Sequence, residues 1–128
     1  MLTAHRLILA LCLISSFAIA APRQLITHNT TALESNAFVA GTIPSQYPTP
    51  PHSDGKVFWA AAKMACFGHL VNGVCPALIR MATNTPNPID VGMLYLNLDT
   101  GDITPTTVQG NGYTVLVNGP GEITLFQD

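Results

Sequence analysis

The side chains best suited to chemistry fall in a few short stretches. Asp99-Thr100-Gly101-Asp102 places two carboxylates three positions apart, just after Asn97. Such a set can supply a pair of carboxylates for acid–base work or oxygen ligands for a calcium ion. Cys66 and Cys75 form a second pair, with His69 between them. A cysteine near a histidine can act as a nucleophile while its thiol is free. His28, His52 and His69 share no common spacing, although each can titrate or ligate a metal.

The settings of these residues argue against most of that chemistry. An Asp-Thr-Gly triplet carries the catalytic aspartate of pepsin-like proteases, and retroviral enzymes build the same site by pairing two chains of about this size. Here 27 residues follow Gly101, too few for the rest of such a half-site. The apolar-apolar-Gly segment required downstream is missing, and Asp102 stands where a small residue is usual. The stretch reads as a polar hairpin turn, and its carboxylate density falls short of an EF-hand loop. The spacing C-x8-C matches neither a C-x-x-C redox pair nor a four-ligand zinc set. We therefore assign no catalytic residue, no metal ligand and no cofactor from the sequence.

The elements that position these residues begin after an export signal. Arg6 is followed by an apolar run from Leu7 to Ala20, interrupted by Ser15 and Ser16 and ending Ala18-Ile19-Ala20. A positive start, an apolar stretch and an A-x-A end define a secretory signal peptide over residues 1–20. The run is shorter than the roughly 20 residues a spanning helix needs, and Pro22 follows it. No later segment is apolar enough to span a bilayer, so the mature chain carries no membrane span and is expected to be secreted or periplasmic. Cys12 leaves with the signal. In an oxidising compartment the remaining even pair, Cys66 and Cys75, reads as a disulfide, and the thiol-nucleophile reading then fails. From Ala21 onward there are four Lys and Arg against seven Asp and Glu, a formal charge of 4 − 7 = −3. No basic patch is present, which argues against nucleic acid as a partner.

Residues 21–35 are polar and aperiodic and read as an extended lead-in; Asn29-Thr30-Thr31 within them is a glycosylation sequon if the source is eukaryotic. Residues 36–128 then form one domain. Asn36 to Ile43 suits a short strand. Pro44, Pro48, Pro50 and Pro51 crowd into a connecting loop. Lys56 to Cys66 is ambiguous: Ala60-Ala61-Ala62 and Met64 favour helix, with Asp54 as a cap. Phe58, Ala60, Ala62, Met64 and Cys66 would also line one face of a strand, and we expect strand because everything downstream is β. Val91 to Leu98 alternates, with Leu94, Leu96 and Leu98 on one face and Met93, Tyr95 and Asn97 on the other. Tyr113 to Val117 and Ile123 to Phe126 follow, separated by Gly- and Asn-rich turns. This pattern defines an all-β, single-domain β-sandwich of about six or seven strands. Asn72-Gly73 is a strong hairpin signal, but a hairpin there sets Cys75 opposite Leu70 rather than Cys66. Disulfide geometry demands α-carbons within about 7 Å. We expect the disulfide to close residues 67–74 as a loop, with any Asn-Gly turn inside it.

The stretch from Pro88 to Leu125 (Pro-Ile-Asp-Val-Gly, Leu-Asp-Thr-Gly-Asp-Ile-Thr-Pro, Asn-Gly-Tyr-Thr-Val-Leu-Val-Asn-Gly-Pro-Gly-Glu) resembles small exported proteins of unknown function from Gram-negative intracellular bacteria. The resemblance covers about a third of the chain and implies export and a compact β-domain, with no chemistry attached.

Three functional classes remain. The leading one is a non-enzymatic exported module that binds a protein or glycan surface. Its expected contacts are Tyr47 in the proline-rich loop and Phe67, His69, Leu70 and Asn72 in the disulfide loop, because loops on a rigid frame present contacts well. The others are a small secreted hydrolase whose residues converge only in three dimensions, and a structural subunit of an envelope or secretion assembly that pairs through exposed strand edges. Cleavage after Ala20 is tested by intact mass and N-terminal sequencing of the exported protein. The first residue should be Ala21, and a product retaining residues 1–20 would make the apolar run an anchor instead.

Overall fold

The computed structural model describes residues 20–128; the expected signal peptide, apart from Ala20, lies outside them. In chain order the elements are β1 (Gln24–Asn29), β2 (Ser35–Val39), β3 (Ile43–Pro44), β4 (Ser53–Phe58), α1 (Trp59–Cys66), β5 (Val74–Met81), β6 (Ile89–Asn97), β7 (Ile103–Thr104), β8 (Thr107–Gly110), β9 (Tyr113–Gly119) and β10 (Glu122–Gln127). They form two five-stranded sheets, ordered β4-β1-β10-β9-β8 and β3-β2-β5-β6-β7. This is the expected β-sandwich, with ten strands rather than six or seven. The sequence reading missed two-residue β3 and β7 and four-residue β8, pieces too short to show a period.

Alternation sorts the side chains. In β6, Leu94 and Leu96 are buried while Tyr95 faces water, as the sequence predicts; Val91 is buried as well, out of step with them, where the register with β5 shifts between Ile79 and Arg80. Cys75, Ile79 and Met81 of β5 point inward beside them, and Val115, Ile123 and Leu125 close the core from the other sheet. Full burial of a side chain such as Met81 or Leu125 contributes about 1.5–3 kcal/mol. On the outer face of the second sheet, register sets Pro44, Phe38, Leu78 and Met93 in one row. The Arg80 guanidinium covers the Phe38 ring at 4.9 Å.

Three expectations need correction. The lead-in is extended, but residues 24–29 within it are strand β1, which pairs parallel with β10 and antiparallel with β4. Its polar outward positions, Gln24 and His28, hid the inward ones, Leu25 and Thr27. Next, Lys56 to Cys66 is not one strand. The strand ends at Phe58 and an eight-residue helix follows. Its buried residues are Trp59, Ala62 and Cys66, at spacings of three and four, so the helical period and the alanines' propensity override the apparent alternation. Asp54 does not cap this helix; Phe58 is its N-cap residue, without a side-chain cap bond. Finally, the sequon asparagine is unavailable to any transferase in the folded chain, because Asn29 is 2% exposed.

The Cys66–Cys75 disulfide forms as expected, with α-carbons 5.8 Å apart. Both sequence signals survive in part. Val71 and Val74 exchange backbone hydrogen bonds of 2.9 and 3.1 Å around Asn72 and Gly73, both with positive φ. The Asn-Gly turn thus sits within the disulfide loop, whose first arm is the helix. Closing this short loop should stabilise the fold by about 2–3 kcal/mol through chain entropy. Replacing both cysteines with Ala should lower the melting temperature by on the order of 10 °C. A loss of less than about 2 °C in thermal denaturation would show that the bond constrains nothing in the unfolded chain.

Candidate functional site

The proline-rich segment between β3 and β4 roofs the gap between the edges of the two sheets. Thr49 exchanges backbone hydrogen bonds with Ser35, at 2.7 and 3.0 Å. Asn29 donates from its carboxamide nitrogen to the carbonyls of Leu33 (2.8 Å), Pro50 (3.1 Å) and Thr49 (3.3 Å). Its oxygen accepts from the Thr31 backbone and hydroxyl. Gly55 of β4 faces Thr49, and a Cβ there would overlap the Thr49 hydroxyl. The close seat of the roof on β4 therefore requires glycine.

Beneath this roof lies a cavity of about 90 Å³ between the sheets. Leu25 and Val57 line it from one sheet, and Ala37, Ala77, Leu94 and Leu96 from the other. Ala37 and Ala77 point inward but are too small to fill the space. Outside it, a groove of about 340 Å³ runs between β3 and α1, lined by Val39, Ile43, Pro44, Gln46, Ala61, Met64 and Ala65. Ser45 and Tyr47 line both spaces. Tyr47 is 54% exposed.

The predicted contacts fall on two sides of this end of the molecule. Phe67 is 86% exposed, just beyond the helix, and Leu70 and Asn72 are also exposed. His69 is half-buried, its backbone N–H donating to the Cys66 carbonyl at 2.9 Å. Tyr47 stands across the groove from α1. Met64, 78% exposed, joins the two sides: it lines the groove with Tyr47 and a shallow hollow with Phe67 and Lys63. Phe58 and Val71 are exposed apolar side chains as well. The sequence reading passed over Met64, Phe58 and Val71 because Phe58 and Met64 were assigned to the inner face of a strand. Trp59 is buried, its indole N–H donating 2.9 Å to the Leu98 carbonyl.

The Asn97 side chain holds the acidic turn in shape. The Asn97 side-chain oxygen accepts from the backbone N–H of Asp99 (2.9 Å) and of Thr100 (3.2 Å). Gly101 has φ of 81° and packs against Pro22. Among the described residues no group of three or more His, Cys, Asp and Glu is arranged to hold a metal ion.

A polar row unseen in the sequence crosses the outer face of the first sheet. His28 of β1 contacts Asp54 of β4 at 2.7 Å through Nδ1 and Glu122 of β10 at 3.0 Å through Nε2. The Asp54 carboxylate, then Glu122, raises the His28 pKa above its ordinary value by hydrogen bonding to the charged imidazolium. The nearby Ser53 hydroxyl donates to the Pro50 carbonyl at 2.8 Å. Recognising β1 as a strand between two others is the signal that would have found the row.

Fold and site together define a small, disulfide-bonded β-sandwich with an apolar end, built for an oxidising compartment. The chain belongs to the NttC family of type II secretion system (T2SS) substrates, whose family model matches residues 1–128. It is similar to the crystal structure of the Legionella pneumophila type II secretion system substrate NttC, at 54% identity and a TM-score of 0.82. That match covers 84% of this chain and 100% of the other. No curated protein matches it.

The His28 row makes stability depend on pH. Its pKa is raised by folding, so the stabilisation is complete below the unfolded value near 6.5 and is lost as pH rises through the higher folded value. The row is exposed, and pairs of this kind contribute less than about 1 kcal/mol. Wild type should melt roughly 1–4 °C above His28→Gln at pH 6 and no higher at pH 9. A gap that widens toward pH 9 would reverse the assigned charge state.

Proposed function

We propose that this chain leaves the cell by type II secretion and acts outside it as a non-enzymatic module that grips a protein surface. Membership of a family of type II secretion substrates supports the route. The observation that carries the binding role is the exposure of Phe67 and Met64, which line one hollow, on a segment anchored by the disulfide. Large apolar side chains clustered in water mark interaction surfaces, and aromatic residues and Met are enriched where proteins meet. The staple holds the loop in place, so little ordering entropy is lost on association.

A protein partner fits this surface better than a glycan. Sugar faces stack on exposed aromatic rings flanked by hydrogen-bonding groups; the single tryptophan is buried and engaged with Leu98, and the exposed Phe67 ring shares its hollow with the flexible Met64 side chain. Phe67 and Met64 instead suit an apolar side chain of a partner. The test is affinity capture from host-cell lysate and from outer-membrane material, followed by mass spectrometry and a titration with the identified protein. Phe67→Ala with Met64→Ala should weaken the complex at least tenfold and leave the melting temperature within a few degrees. Undiminished affinity in that variant would remove this surface from the binding role. Capture that depends on added free sugars would move the reading to glycans.

A further inference from the structure

We propose that this protein binds one medium-length alkyl chain, laid along the groove between β3 and α1 with its end turned under Tyr47 into the cavity between the sheets. The inference goes beyond the protein-binding reading, because the inner half of the site lies away from Phe67 and Leu70.

Continuity comes first. Groove and cavity both touch Ser45 and Tyr47, so they lie on either side of this one segment, and a ligand that displaces the half-exposed Tyr47 side chain would reach from one into the other. Size is the second argument. An apolar void of about 150 Å³ accepts benzene, so 90 Å³ has room for roughly four carbons of a chain end. Chemistry is the third. The cavity wall is mostly aliphatic, with Thr27, Ser35, Asn36 and Thr49 as its other neutral polar lining residues, and Ile43, Ala61, Met64 and Ala65 continue the apolar surface outside. None of the residues lining either space carries a charge. The polar groups at the junction and in the groove, Ser45, Gln46 and Tyr47, are neutral. The ligand's head is therefore an uncharged hydroxyl, ester or amide rather than a carboxylate, which would meet no cation.

The small residues at the cavity support this use. Ala77 pairs with Val39 and Leu94 across the second sheet, and Ala37 pairs with Ile79. One leucine at either position would fill the space with its side chain. The interior is thus left open by two positions that a larger aliphatic would otherwise occupy.

The test titrates the exported protein with decan-1-ol and, separately, with sodium decanoate below its micellar concentration. Methyl carbon–proton spectra report each site. Decanol should shift the methyl signals of Leu25, Leu94, Leu96, Ile103 and Ile123 saturably. Ala77→Leu should weaken binding at least tenfold with an equal or higher melting temperature, and Ala37→Leu serves the same purpose if the first variant fails to fold. Phe67→Ala should leave decanol binding unchanged, which separates this site from the protein-binding surface. Decanoate should bind no more tightly than decanol. The proposal is overturned if the interior methyls stay still, if only Ile43 and Met64 respond, or if the folded leucine variant binds as well as wild type. Tenfold tighter binding of decanoate would overturn the uncharged head. The protein should remain in the supernatant with phosphatidylcholine vesicles; pelleting with them while the interior methyls stay unmoved would assign the groove to a bilayer surface and overturn the single-chain site.

Discussion

The buried carboxamide of Asn29 joins segments that no β-ladder connects. It sits at the end of β1 and holds the turn into β2 at Leu33 and the proline-rich roof at Thr49 and Pro50. Prolines cannot donate to a ladder, so this segment needs its carbonyls and its few remaining N–H groups tied from outside. Asn29 provides the donors, Ser35 pairs with Thr49, and Gly55 leaves room for the contact. A shorter or apolar side chain at position 29 would leave several of these buried groups unpaired, at about 1–3 kcal/mol each. With the Ser35–Thr49 pair and the Asn36 carboxamide, which donates to the Ser45 carbonyl at 2.8 Å, the Asn29 side chain sets how the roof sits over the space beneath it.

Legibility tracked period and burial. Val91 to Leu98 was readable because its two faces differ sharply, leucines inward and Tyr95 outward. The disulfide was readable from compartment and parity, and its conflict with Asn72-Gly73 resolved because the turn fits inside the loop. Strand β1 was not readable. One of its faces carries His28, whose partners Asp54 and Glu122 lie 26 and 94 positions away. The segment from Trp59 to Cys66 satisfied both periods over eight residues, and packing of Trp59, Ala62 and Cys66 decided it. The site was half legible. Phe67, Leu70 and Tyr47 were identifiable as loop residues on a rigid frame, whereas the cavity arises from the absence of bulk at Ala37 and Ala77, which no motif announces.

The molecule tolerates two costs at one end. It leaves apolar side chains in water around α1 and leaves space unfilled behind the roof. Elsewhere the core is closed, with Met81, Val115 and Leu125 fully buried. Local departures of this kind from the rules that stabilise a fold tend to mark the part of a protein that meets something else. The disulfide and the Asn29 network bracket that end, one tying the helix to β5 and the other tying the roof to β1.

The parallel pairing of β1 with β10 governs the order in which the chain can assemble. Ile26 aligns with Glu122 across the whole span of the domain, and β1 is an inner strand of its sheet. A polypeptide that emerges amino end first presents this strand at the outset and must wait for its last few residues before the ladder closes. The ladder that joins the β4-β1 pair to the β10-β9-β8 strands is therefore a late event, slow for the reason that distant contacts are slow. A chain cut short before Glu122 would display β1 with a bare edge, open to pairing with any other strand.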